Sequence, residues 1–115
     1  MKVLQVLQDL EQIAKRQSLP SIGPVKGKIL RGIISKYKPK AILVIGTLDG
    51  YSVILMADML PGHGKVITIE KDTRLVNITM KNVEDAELSH IIEVINADGL
   101  KVIPLLQKRK FDLMF

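Results

Sequence analysis

The apolar positions of this chain change their period once, near residue 40. Before that point they recur at helical spacing. Val3, Leu4, Leu7, Leu10, Ile13 and Ala14 alternate with Lys2, Gln5, Asp9, Gln12 and Arg16, the pattern of an amphipathic helix. Ser18 to Pro24, SLPSIGP, holds two prolines and a glycine and reads as a loop. A second helix follows, with Val25, Ile29, Leu30, Ile33, Ile34 and Tyr37 as its apolar face and Pro39 marking its end.

From Ala41 the pattern becomes strand, turn and helix, repeated. AILVIG, 41–46, is a continuous apolar run of the kind found in parallel strands covered on both faces. Ser52 to Leu60 reads as a helix, PGHG at 61–64 as a turn, and Val66 to Glu70 as a second strand. Asp72 or Thr73 can cap a helix running to about Val83, with Leu75, Val76, Ile78 and Val83 as its apolar positions. Ile91 to Ile95 predicts a third strand, Gly99 to Gln107 a short helix, and FDLMF from Phe111 a fourth, buried strand. Strands alternating with helices predict an α/β fold with a parallel sheet and right-handed crossovers. The expected architecture is Rossmann-like but partial: about four strands with flanking helices, preceded by two N-terminal helices. No repeat, low-complexity tract or internal boundary divides residues 1–115, so a single domain is expected.

Composition narrows the classes. An apolar fraction of 47% with 25% charged residues is that of a soluble globular chain and not of a disordered one. Tyr37, Tyr51, Phe111 and Phe115 are the only aromatics, so the core must be aliphatic and a stacking platform for single-stranded nucleic acid is disfavoured. The absence of cysteine excludes disulfides, thiolate metal sites and cysteine nucleophiles. Gln, Asp and Glu interrupt the apolar pattern of the first helix, unlike a signal peptide, and no stretch reaches membrane-spanning length. A cytoplasmic protein without a membrane partner is the expectation.

The net charge of +5 is unevenly placed: residues 1–40 hold nine Lys/Arg against Asp9 and Glu11, and residues 41–115 hold eight against ten acids. A basic N-terminal third could meet RNA or an anionic surface. The simpler reading is a solvated helix face carrying Lys28, Arg31, Lys36 and Lys38, and nucleic acid is disfavoured as a partner.

The candidate chemistry centres on the turn after the first strand, bracketed by Gly46 and Gly50, and on Glu70 at the end of the second strand. Backbone N–H groups at a helix start suit an anionic group, and a strand-end acid suits ribose hydroxyls. Leu48 occupies the place of the middle glycine in a G-x-G-x-x-G fingerprint, which disfavours a dinucleotide pyrophosphate, and no G-x-x-x-x-G-K-[ST] occurs. His63, His90 and the group Glu84, Asp85, Glu87 show no spacing suited to a metal.

The string GTLDGYSVILMADMLPGHGKVITIEKD, 46–72, resembles the first two cofactor motifs of S-adenosylmethionine-dependent O-methyltransferases of the catechol O-methyltransferase type. IGPVKGKIL at 22–30, NADGLKVIPLL at 96–106 and KFDLMF at 110–115 resemble further segments of that family in the same order. The resemblance runs from about Val6 to Phe115. It implies S-adenosyl-L-methionine as methyl donor and a hydroxyl of a small aromatic diol as acceptor. It also implies roles for seven residues: the backbone around Ile22 and the hydroxyl of Ser52 at the methionine carboxylate, Gly46 at the closest approach of the chain to the cofactor, Leu48 at the family's bulky position beside it, Glu70 on both ribose hydroxyls, Lys71 along the adenine, and Asp98 on the adenine amino group. For Asp98 an N-cap of the following helix is an equal reading. The family's acid two positions before Gly46 is replaced by Val44.

In the complete family, magnesium ligands and a catalytic lysine begin immediately after the fourth strand. The resemblance therefore implies the cofactor-binding, N-terminal part of such an enzyme, reading as truncated at Phe115, with no catalytic or metal residue of its own and inactive alone. Two alternatives stand beside it: a non-catalytic isoform or pseudoenzyme that binds the cofactor or a protein partner, and a component of an RNA-directed methyltransferase. An apolar last strand also predicts self-association through Phe111–Phe115.

Overall fold

The computed structural model describes residues 2–17, 22–106 and 111–115. Its elements in chain order are α1 (Lys2–Gln17), α2 (Gly23–Tyr37), β1 (Ala41–Ile45), α3 (Tyr51–Asp58), β2 (Lys65–Glu70), α4 (Thr73–Asp85), β3 (Ile92–Asn96), α5 (Gly99–Leu106) and β4 (Leu113–Met114). The four strands form one parallel sheet in the order β3-β2-β1-β4. The α/β, Rossmann-like architecture read from the sequence is the one observed.

The apolar run of β1 is explained by cover on both faces. Ile42 and Val44 enter a large core with Val66 of β2, Ile92 of β3 and residues of α1 to α4, whereas Leu43 joins Ile67 and Ile69 in a small cluster under Val102 and Leu106 of α5. The two faces alternate along the strand because successive side chains of a strand point oppositely. α3 lies at the centre of the larger core and is buried from Val53 to Ala57, so it has almost no polar side.

Several boundaries and faces differ from the sequence reading. Of the segment read as a loop, 18–21 lies outside the described residues, and Gly23 and Pro24 already belong to α2, where proline suits the first turn because its missing N–H would have no intrahelical partner. The buried face of α2 is Gly27, Leu30 and Ile34, while Val25, Ile29, Ile33 and Tyr37 are exposed. The cause is Gly27: a Cβ there would lie 3.0 Å from Leu55 Cδ1 and 3.4 Å from the Tyr51 hydroxyl, so the bare backbone is what lets α2 approach α3. Lys28, Lys36 and Lys38 are solvated as expected, but Arg31 is half-buried and faces Asp58 at 3.9 Å.

On α4, Asp72 is the N-cap and accepts from Arg74 N at 2.9 Å. Its buried positions are Val76, Thr79 and Val83, and Ile78 is exposed. β4 is shorter and wetter than the predicted buried strand, since Leu113 is half-buried and Met114 and Phe115 are exposed. Its place is secured by backbone bonds to β1 and by Asp112, whose Oδ2 accepts from Lys40 N at 2.7 Å and Ala41 N at 3.1 Å. Those two bonds hold the Asp112 carboxyl below its usual range.

Candidate functional site

The sheet's strand order places a concavity where theory expects one. From β1 the chain steps outward to β2 and β3, then returns to the other side of β1 for β4. Crevices in such sheets open beyond the carboxyl ends of the strands, at the point of reversal. A cavity of about 330 Å³ lies there, lined by Gly46, Thr47, Leu48 and Asp49 after β1, Tyr51 and Ser52 of α3, Glu70 of β2, Leu75 of α4, Ile22 before α2 and Phe115 after β4. A second concavity of about 380 Å³ shares Gly46 and Glu70 and continues over Lys71, Asp98, Gly99 and Ile103.

The loop between β1 and α3 is built from left-handed residues. Gly46 and Gly50 have φ of +82° and +91°, values that side chains strain to reach, and Leu48 has φ of +50°. Gly50 is doubly constrained, because a Cβ there would meet Thr79 Cγ2 at 3.2 Å. At Gly46 a Cβ would meet no atom within 4 Å, so only its backbone conformation demands glycine. Gly46 N donates to Ile69 O at 2.8 Å and Gly50 N to Thr47 O at 2.9 Å, which closes the turn.

Glu70 is oriented by two backbone donors. Thr47 N donates to Oε1 at 3.2 Å and Asp72 N to Oε2 at 2.9 Å. Each oxygen keeps acceptor capacity, since a carboxylate oxygen has two lone pairs. Asp98 Oδ1 accepts from Leu100 N at 2.9 Å, the helix-start bond foreseen for it, and the residue also lines the second concavity. All seven residues singled out in the sequence therefore border these two concavities: Ile22, Gly46, Leu48, Ser52 and Glu70 the first, and Gly46, Glu70, Lys71 and Asp98 the second. Val44 does not border them and is fully buried in the core.

The sequence reading missed Thr47, Asp49, Tyr51, Leu75 and Phe115. Asp49 is 6% exposed; its Oδ1 accepts from Tyr51 N at 3.2 Å, and Oδ2 has no partner among the described residues. Burial pushes its carboxyl above the usual range, against the lowering effect of the backbone bonds. Tyr51 donates its hydroxyl to Glu11 Oε2 at 2.5 Å, joining α3 to α1, and burial followed by this bond raises the phenol far above its ordinary value. No lysine or arginine borders the first cavity among the described residues, so its charge is acidic. Among the described residues no three His, Asp or Glu side chains gather as a metal-binding group.

Comparison with known proteins gives this geometry a family. Residues 2–115 match the O-methyltransferase family model. A catechol O-methyltransferase of Niastella koreensis is 34% identical over 98 residues, covering 83% of this chain and 44% of that protein. A human transmembrane O-methyltransferase is 35% identical over 104 residues, covering 89% and 36%. Among solved structures, the O-methyltransferase from Bacillus cereus in complex with SAH superposes with a TM-score of 0.84 at 31% identity, covering 96% of this chain and 53% of that one. TomG of Streptomyces achromogenes, an O-methyltransferase of tomaymycin synthesis solved with SAM, gives 0.85 at 28%, covering 96% and 52%. The chain spans about half the length of these solved relatives and less than half of the curated ones. With the match running through every described element, the chain belongs to the O-methyltransferase family.

Proposed function

We propose that this chain is the cofactor-binding part of an S-adenosylmethionine-dependent O-methyltransferase of the catechol type, acting in the complete protein on a hydroxyl of a small aromatic diol. The observation that carries the reading is the convergence of Ile22, Gly46, Leu48, Ser52 and Glu70 on one acidic cavity at the point where the sheet reverses. An acidic, mostly apolar cavity suits a ligand that carries a sulfonium and hydroxyl donors. The Glu70 carboxylate would accept from the ribose hydroxyls, Ser52 and the start of α3 would hold the carboxylate end, and Lys71 and Asp98 would flank the base. The cofactor supplies an electrophilic methyl group, and the chain's own task is to bind and orient it. Phe115 and Leu48 narrow the cavity with apolar surface.

Isothermal titration with S-adenosylhomocysteine tests the site. The parent chain binds, and Glu70→Ala weakens binding by about 1.5–3 kcal/mol, the range for hydrogen bonds to a charged group. Equal binding by the variant, or a folded parent without saturable heat, removes the assignment. Residues 1–115 alone are expected not to methylate ortho-diphenols, with or without magnesium, and turnover of a labelled methyl donor checks this. Self-association of residues 1–115 through β4 is part of the same proposal, because among the described residues β4 pairs with β1 alone and an unpaired edge templates further pairing; sedimentation is expected to show an assembly that Met114→Lys disperses, and a parent that stays monomeric removes this part.

A further inference from the structure

α4 contributes Leu75 to the wall of the first cavity, but its principal contact with the site is from behind. The hydroxyl of Thr79 lies 3.1 Å from that of Thr47 and donates to the Leu48 carbonyl at 3.3 Å, while Asn82 Nδ2 donates to the Asp49 carbonyl at 2.8 Å. Residues three apart on a helix share a face, so α4 presents both groups together to two consecutive carbonyls of the loop. Thr79 is fully buried and Thr47 nearly so. Leaving a buried hydroxyl unpaired costs free energy, so the bonds of Thr79 offset the burial of its oxygen. The two carbonyls belong to the Leu48–Asp49 and Asp49–Gly50 peptides, next to the left-handed backbone of Leu48, and the methyl of Thr79 packs 3.2 Å from where a Cβ on Gly50 would stand.

We infer that Thr79 and Asn82 are positioning residues for the cofactor loop: by fixing the Leu48 and Asp49 carbonyls they hold Leu48 in its left-handed conformation and set the cavity wall made by residues 46–50. This inference rests on the proposed cofactor reading for its functional consequence, but the geometric claim is separable. The loop's backbone donors, Thr47 N to Glu70, Gly50 N to Thr47 O and Tyr51 N to Asp49 Oδ1, report on the loop without any ligand.

The experiment has two arms, applied to the parent, Thr79→Val, Thr79→Ser and Asn82→Ala. Amide hydrogen exchange is measured at residues 47, 50 and 51 and, as reference, in β2. S-adenosylhomocysteine affinity is measured by calorimetry. Thr79→Val removes the hydroxyl at nearly constant shape and is expected to speed exchange of the loop amides about tenfold relative to β2 and to weaken binding about tenfold, the scale of one lost hydrogen bond. Thr79→Ser restores both, and Asn82→Ala reproduces the loss. Exchange that accelerates equally in β2 and the loop means a merely structural threonine and overturns the inference, as does a folded Thr79→Val with unchanged loop exchange and affinity. Should Thr79→Val fail to fold, the Thr79→Ser and Asn82→Ala pair decides by the same comparison. A parent that binds no S-adenosylhomocysteine overturns the cofactor reading and the functional half of this inference with it, and the exchange arm then decides the geometric half.

Discussion

The two faces of the sheet are unequally built. On one, α1 to α4 enclose a continuous core in which Ile54, Met56, Val44 and Val66 lose all contact with solvent. On the other, among the described residues, α5 covers a cluster whose buried members are Leu43, Ile67 and Ile69, buries none of its own residues fully, carries Pro104 inside it, and leaves Leu100 85% and Leu105 78% exposed. The loop from Gly46 to Gly50 is anchored to the first face through Thr79, Asn82 and Asp49, whereas Asp98 and Gly99 of the second concavity belong to the thin one. Local stability follows buried apolar contact. The end of the site read as holding the methionine carboxylate therefore rests on the rigid part of the molecule, and the end read as holding the base rests on the yielding part.

The largest expected effect tests the heavy face directly. Ile54→Ala, at a site without solvent exposure, removes three carbons from the middle of α3 and is expected to cost about 2–5 kcal/mol in urea unfolding. A loss below 1 kcal/mol would show that this core collapses around the vacancy and is no firmer than the α5 side. Gly50→Ala comes next: the left-handed backbone alone costs about 1–3 kcal/mol, and the new methyl group also meets Thr79 Cγ2. The expectation is a lower melting temperature together with faster amide exchange in residues 47–51.

Asp49 gives a pH-dependent version of the comparison. Burial raises its folded pKa above the ordinary carboxylate value of 3.8, so the folded state binds the proton more tightly and stability falls as pH rises through the window above 3.8. Asp49→Asn keeps an oxygen for Tyr51 N and buries a neutral amide in place of a charge. It is expected to melt higher than the parent near pH 7, with the advantage shrinking as the pH falls towards 3.8; a constant difference across that range would assign the effect to packing. The smallest effect belongs to the thin face. Leu105→Ala is expected to change stability by no more than about 0.5 kcal/mol, and a larger loss would mean that α5 is held by contacts beyond those described.

Much of this architecture could be read before any coordinates. The uninterrupted run Ile42–Val44 required cover on both sides, the shift to strand-and-helix alternation predicted parallel pairing, and Asp72 announced the start of α4. What was misread has a common cause, in that hydrophobicity ranks side chains and does not weigh fit. Of the six residues read as the apolar face of α2, Leu30 and Ile34 are buried, but Val25, Ile29, Ile33 and Tyr37 are exposed because the helix turns Gly27 inward, where a glycine admits Leu55 and Tyr51. On α4, Thr79 took the interior place assigned to Ile78 because its hydroxyl finds Thr47 and Leu48 O. Asp49 drew no reading from the sequence, since its burial depends on residues of α1 and α4 around the loop, which no local pattern reports. Gly46, Ser52 and Glu70 could be placed beside the cavity because they sit at strand ends and a helix start, positions that the strand pattern locates, whereas Ile22, Leu48, Lys71 and Asp98 were named only through the family resemblance.

The Glu70 carboxylate has a consequence for discrimination among nucleosides. One lone pair on each oxygen is already occupied by a backbone N–H from the protein, one from the β1 loop and one from the start of α4. What faces outward is a pair of acceptors at carboxylate spacing with negative charge and no donor. Such a group complements a vicinal diol, gains less from a 2′-deoxy sugar, and repels a ribose phosphorylated at the 2′ or 3′ oxygen. The same two anchoring bonds that stiffen the loop thus give this edge of the cavity, on the proposed reading, a preference for a free 2′,3′-diol over a sugar lacking one of those hydroxyls or phosphorylated there.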